Sequence, residues 1–212
     1  MSERSPWEVP APAPLSTRLV TERMVLRPPR TADVPTMRAV LRRNAAHLRP
    51  WSIAPGPGED PASLTSVSRA VLRHRAEWKS GQAYVFLIAP RDDDRTILGR
   101  IALGGLLRGA FQNAYLGYWI DADQAGRGLM TEAVRAATSF AFASAELHRV
   151  QAAVMPSNAG SQRVLEKAGY RREGLAARYL CIAGAWEDHL LFAVTAEEWA
   201  DRHPQLLPGP VR

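Results

Sequence analysis

Gln124–Ala133 reads QAGRGLMTEA; it follows the aromatic run Tyr115–Ile120 (YLGYWI) and opens a stretch whose apolar residues recur at helical spacing. The decapeptide is therefore a turn from strand to helix. Gly126 and Gly128 flank Arg127, so the backbone can turn tightly with its N–H groups pointing one way. The helix that follows adds its positive dipole end and its unpaired donors. Such a turn is a candidate cradle for a diphosphate. The same turn also joins strands to helices for steric reasons alone, so its surroundings decide its meaning.

Downstream, Leu129, Met130, Ala133, Ala137, Phe140 and Ala141 trace the inner face of a long helix, and Arg149–Met155 returns to strand. This crossover implies parallel pairing with the strand before the turn. Asn158 stands where a helix N-cap belongs, Val164, Leu165 and Ala168 supply a short apolar face, and Gly169 suits the C′ position. Two last strands, Tyr170–Ile182 and Trp186–Val194, meet at a hairpin turn around Ala183-Gly184.

Upstream, Tyr84–Ala89, Thr96–Leu107 and Ala114–Ile120 read as a meander. Before it come two helices. Asp33–His47 carries Val34, Met37, Val40, Leu41 and Leu48 at helical spacing. The next helix has Asp60 as cap, Pro61 in its first turn and a stripe of Leu64, Val67, Val71, Leu72 and Trp78 before Gly81. Arg18–Arg27 is the first strand, with two faces that are not sharply distinguished. The order predicts a mixed α/β (α+β) fold, an about seven-stranded mixed sheet flanked by helices. A proline-rich arm over 1–16, extended and poorly ordered, precedes a single domain over 17–200, and a flexible tail covers 201–212.

The 212 residues suit one core. No apolar run approaches a membrane span and no signal core is evident, so a cytoplasmic protein with no membrane partner is expected. The sole cysteine, Cys181, excludes an internal disulfide and a Cys-based zinc site, and the five histidines show no ligand spacing, so no metal is expected. The net charge of +6 lies wholly in residues 1–80, and 25 of the 27 basic residues are arginine. This hints at an acidic or ribonucleoprotein neighbour and does not establish nucleic-acid binding, which is not expected to be direct. Composition leaves the choice between monomer and dimer open.

Several separated segments together resemble one family. The layout, with a glycine turn after the fourth strand and an Asn-x-x-Ser helix start after the fifth, resembles the GCN-related N-acetyltransferases. Arg108–Ile120, Gly126–Ala133, His148–Tyr170 and Trp186–His189 (WEDH) look like the RimJ type of ribosomal-protein-alanine N-acetyltransferase. The resemblance covers roughly residues 17 to 200. It implies splayed fourth and fifth strands with acetyl-coenzyme A between them, pyrophosphate on the glycine turn and pantetheine along the fourth strand. Tyr118, Trp119 and Ile120 are then expected to face the pantetheine. Ala125, Gly126, Arg127, Gly128, Leu129 and Met130 are expected around the diphosphate, with Asn158 and Ser161 also at the cofactor. The usual Arg or Gln at the head of this motif is replaced by Ala125, with Gln124 one residue earlier, and Met130 replaces a small residue.

Acetyl transfer needs a neutral amine against the thioester, stabilisation of the oxyanion and a proton for the leaving thiolate. Ser161 is the candidate for the thiolate, with Asn158 as cap and cofactor holder. Asp188 ranks first among the bases, acting directly or through water, ahead of Glu173 and His189. Its competing reading is a structural carboxylate. A glutamate that RimL-related members place near Leu180 is missing. A ping-pong route through Cys181, activated by His189, ranks lowest. Trp51, Phe111, Asn113, Tyr179 and Trp186 are expected around the open side of the gap as acceptor contacts. The expected acceptor is a protein or peptide N-terminus, a ribosomal protein beginning with alanine. The alternatives are a small amine such as an antibiotic or polyamine, and a non-catalytic ribonucleoprotein partner that binds acetyl-coenzyme A.

Overall fold

Alternation along the central strands decides which helices cover which face of the sheet. The computed structural model describes residues 8–56 and 58–203. Its strands are β1 (Leu19–Val20), β2 (Met24–Arg27), β3 (Tyr84–Pro90), β4 (Gly99–Leu107), β5 (Asn113–Ile120), β6 (Arg149–Val154), β7 (Arg171–Ile182) and β8 (Ala185–Thr195). They form one mixed sheet in the order β1-β2-β3-β4-β5-β6-β8-β7, with β5 and β6 parallel and the other neighbours antiparallel.

The helices are α1 (Val34–Arg43), α2 (Ala45–Leu48), α3 (Leu64–Lys79), α4 (Leu129–Ala143), α5 (Ala159–Ala168) and α6 (Ala196–Arg202). On one face Phe86, Ile101, Leu103, Leu116 and Val150 pack under Ala133, Ala137 and Phe140 of α4, as the spacing of that helix predicts. Trp78 at the end of α3 reaches this core, with ring centroids 4.9 Å from both Tyr84 and Phe86. On the other face Leu87 and Ile97 meet Val34, Met37 and Val40 of α1 and Val67 and Val71 of α3. Each fully buried aliphatic or aromatic side chain contributes on the order of 1.5–3 kcal/mol.

The departures from expectation have physical causes. Arg18–Arg27 is a small antiparallel ribbon, with Leu19 opposite Leu26, which explains its indistinct faces and raises the strand count to eight. The Thr21 hydroxyl makes the bend by accepting from the Met24 N–H and donating to the Met24 carbonyl. The first helix stops at Asn44, whose buried amide donates to the Val40 carbonyl. In α3 the cap is Ser63, which accepts from the Ser66 N–H; Asp60 instead holds the Ala62 N–H in a preceding turn. Leu64 and Leu72 face solvent.

α6 lies beyond the elements that apolar periodicity marks; Thr195 and Glu198 form a capping box ahead of the fully buried Trp199. The described part of the arm is docked rather than loose: Pro10 is buried, and the Ala13 carbonyl accepts the Trp78 indole N–H at 2.6 Å. Proline costs little entropy to fix, and a buried indole N–H needs an acceptor. The rest of the arm and the tail beyond His203 lie outside the described residues.

Candidate active site

The sheet opens at its centre. β5 and β6 pair only through Asn113 with Arg149, Ala114 with Val150 and Tyr115 with Gln151. From Leu116 to Ile120 the β6-facing edge of β5 is unpaired, leaving a strand edge able to accept an extended ligand. α5 stands beside this gap because Asn158 caps it, accepting the Ser161 N–H at 3.0 Å. The Tyr118 hydroxyl on β5 reaches across to α5, 2.8 Å from Ser161 Oγ, and also donates to the Ser161 carbonyl at 3.2 Å. Burial pushes the Tyr118 phenol well above its ordinary range, with the Ser161 bond offsetting part of the shift. It stays protonated and available as a donor.

At the far end of β5 the chain enters the glycine turn through a short helical turn, Ala122–Gln124. Asn44 accepts the Ala122 N–H at 2.9 Å, and Arg43 holds the buried Asp121 carboxylate. The Ala125 N–H is taken by the Ala122 carbonyl. Gly126 and Gly128 both sit at φ 77°, a left-handed conformation that an L side chain resists. A Cβ on Gly126 would meet nothing within 4 Å, so the concavity there is open. The first bond of α4 runs from the Glu132 N–H to the Gly128 carbonyl, leaving the N–H groups of Leu129, Met130 and Thr131 without an acceptor in the helix. The side chains of Leu129 and Met130 are buried, so these residues offer only backbone to a ligand.

One residue of this cradle was not legible in the sequence. Arg23, in the β1–β2 bend, donates from Nη1 to the Arg127 carbonyl at 2.9 Å and from Nε to Glu132 at 2.8 Å. Its own N–H donates to the other Glu132 oxygen at 3.0 Å. It thus fastens the outer side of the turn to α4 and leaves the amide side free. A pairing across 104 residues leaves no local pattern to find.

A splayed parallel pair, an unpaired strand edge and a left-handed glycine turn feeding a helix together fit acetyl-coenzyme A: the edge for pantetheine, the amides for pyrophosphate. The model of the acetyltransferase (GNAT) domain matches residues 23–171. The chain belongs to the GNAT acetyltransferases. It is an acetyl-coenzyme A-dependent N-acetyltransferase.

Similar GNAT proteins include the ribosomal protein uS5-alanine N-acetyltransferase of Escherichia coli, 35% identical over 86% of this chain and 92% of the relative. A probable N-acetyltransferase of Bacillus subtilis, YjcK, is 40% identical over 64% of this chain and 75% of its own. Mycobacterium smegmatis RimJ in complex with CoA-disulfide superposes with a TM-score of 0.77 at 35% identity, covering 85% of this chain and 88% of that one.

Opposite the α4–α5 side, the GNAT sheet is almost bare near the vertex of the gap. Ala102 of β4 faces Gly117 of β5, Gly104 faces Tyr115, and a Cβ on Gly104 or Gly117 would meet nothing within 4 Å. Such a floor admits another backbone closely. The Ala183 N–H of the β7–β8 hairpin donates to the Ser52 carbonyl at 2.9 Å, tying the loop that carries Trp51 to the hairpin that carries Trp186. Both tryptophans are exposed, as is Phe111 in the β4–β5 loop. Tyr179 is half-buried, its ring 5.7 Å from that of His189, and burial and the neighbouring Tyr115 push its phenol up. Asn113 departs from expectation. It is fully buried inside the sheet, with neither side-chain polar atom bonded, and does not line the open side of the gap.

The base candidates have structural partners. Asp188 accepts the Arg178 N–H at 2.8 Å; Arg178 has φ 48° in the bulge that shifts β7 between Ala176 and Leu180. Glu173 is gripped by Arg149 and Arg171, and the Arg149 bond holds its carboxyl below the usual range. His189 is buried, with Nδ1 2.9 Å from the Glu187 carbonyl, and Cys181 pairs with Trp186 in the hairpin ladder.

Proposed function

We propose that this enzyme acetylates the N-terminal α-amine of a polypeptide, a ribosomal protein beginning with alanine, by direct attack in a ternary complex. The observation that carries this reading is the near full-length match to the uS5-alanine enzyme of Escherichia coli. The bare floor beside the vertex supports it, since an extended chain end needs close backbone approach there.

The amine nitrogen attacks the thioester carbonyl, the carbon–sulfur bond breaks, the thiolate takes a proton from the Ser161–Tyr118 pair, and the pair recovers a proton from solvent. The amine proton passes to water, with Asp188 as its acceptor. An α-amine, with a free pKa of about 7.7–8.0 against about 10.4 for lysine, needs only weak assistance near neutral pH. That suits a site in which the Glu173 carboxylate is already held by Arg149 and Arg171.

Purified protein, acetyl-coenzyme A and peptides beginning with alanine, serine or methionine are set beside aminoglycosides and polyamines, and free thiol release is followed. Turnover on alanine-initiated peptides is expected. Robust turnover confined to the small amines would overturn the polypeptide reading.

A further inference from the structure

Between α3 and the bare face of β4 lies a cavity of about 340 Å³, lined by Arg73, His74 and Glu77 from the helix and Arg100, Ala102 and Gly104 from the strand. Its charges are unbalanced. Arg73 pairs with Glu77 at 3.7 Å, while Arg100 makes no ion pair among the described residues, and its buried Nε has no hydrogen-bond partner. His74 is pushed down to about 4 by burial and then by Arg100 and Arg73, so it is neutral at physiological pH and cannot supply a competing charge.

A buried guanidinium nitrogen without an acceptor is costly, and the planar fork it belongs to matches a carboxylate through two parallel bonds. The cavity also has a fixed relation to the gap. Gly104 faces Tyr115, the last residue of β5 paired with β6, so the Gly104 end of the cavity adjoins the vertex. Arg100 lies further along the same face of β4, roughly 13 Å away at about 3.3 Å per residue. An extended acceptor with its amine at the vertex and its chain over Gly104 and Ala102 brings about its third to fifth residue to Arg100.

We propose that this cavity is a subsite for an acidic side chain at about the third to fifth position of the acceptor polypeptide, held by Arg100. The proposal rests on the polypeptide reading above. It makes the enzyme selective for sequence beyond the first residue, through a group remote from the reacting atoms.

The test compares alanine-initiated peptides carrying glutamate at position three, four or five with their glutamine counterparts. One position is expected to favour glutamate by about ten- to a hundred-fold in kcat/KM, the range of a charge-assisted bond. Arg100→Met is expected to bring that ratio close to one, and Arg100→Lys, which keeps the charge and removes the fork, to leave an intermediate ratio. Circular dichroism and coenzyme A affinity confirm that each variant is folded. Peptides that turn over without any glutamate preference, or with one that survives Arg100→Met, would overturn the subsite and leave the polypeptide reading standing. If no peptide turns over, both fall. Succinate and inorganic phosphate serve as competitors in calorimetry: Arg100-dependent binding of either, with no peptide preference, assigns the cavity to a free anion and refutes the proposal.

Discussion

Ser161 and Tyr118 share one hydrogen bond across the gap, so their contributions to turnover should not be independent. Removing a positioned proton donor costs about 10²- to 10⁴-fold. Ser161→Ala and Tyr118→Phe are therefore each expected to lower kcat by at least roughly ten-fold while the coenzyme A dissociation constant stays within about two-fold. The double variant should lose little beyond the worse single. Losses that multiply in a double-mutant cycle would show two separate roles, and parallel loss of binding and turnover would reduce Ser161 to a structural serine. Gly128 gives a second test, because proline there both deletes an N–H and cannot reach φ 77°. Gly128→Pro should abolish coenzyme A binding in calorimetry; unchanged affinity would refute the cradle. The opposite side of the same turn is Arg23, whose exposed pairing with Glu132 is worth at most about 1 kcal/mol to stability. Arg23→Met should instead raise the coenzyme A dissociation constant several-fold through looser amides, and an unaltered value would show that the turn needs no clamp.

At the level of elements, the glycine turn is held from two directions that are far apart in the chain: Arg23 behind it, and the α1–α2 junction at its entrance. Asn44 ends α1, caps its own Val40 carbonyl and accepts the Ala122 N–H, all in a fully buried position. Asn44→Ala leaves the Ala122 N–H without its acceptor, while the Val40 carbonyl keeps the backbone N–H of residue 44, and is expected to cost about 1–3 kcal/mol by urea unfolding. It should also weaken coenzyme A binding, because Ala122 opens the turn; a stability loss with full affinity would separate the latch from the cradle. This junction also shows where sequence reading succeeds and stops. The periodicity of α4, the Asn158 cap, the left-handed Gly169 and the Ala183-Gly184 hairpin were legible because each is enforced within a few residues. The break at Asn44 was not, since the apolar spacing runs on to Leu48 and the residue's partner lies beyond β5. The same holds for the β1–β2 ribbon, which a local pattern cannot tell from one strand, and for Asn113, which interior register buries. Two further signals are local and readable, the Thr195–Glu198 box of α6 and Ser63 ahead of the first turn of α3.

Across the whole molecule the ionisable groups make the fold sensitive to acid in two stages. His74 sits at about 4 because burial, followed by Arg100 and Arg73, disfavours its charged form. In the unfolded chain it titrates near 6.5, so between about 6.5 and 4 the unfolded state binds more protons and stability falls as pH falls. His203, lowered by burial and by Arg135 and Arg202, adds a slope in the same direction. The carboxylates act lower down. Asp94 is depressed by its bonds to Arg30 and Arg18, and Glu173 by Arg149, so their stabilisation is complete above the unfolded carboxylate pKa and is lost only as pH falls through the lower folded values. The two stages are separable by one substitution. Urea midpoints measured from pH 7 to pH 5 should decline in the wild-type protein and less steeply in His74→Gln. The difference should amount to about 1 kcal/mol, since full burial would give about 1.4 kcal/mol per pH unit and His74 is only half-buried. Parallel profiles would mean that His74 titrates alike in both states. The desolvation that leaves Arg100 without a partner would then be weaker than the cavity's geometry indicates, and the acidic side chain of the acceptor would gain correspondingly less by entering it.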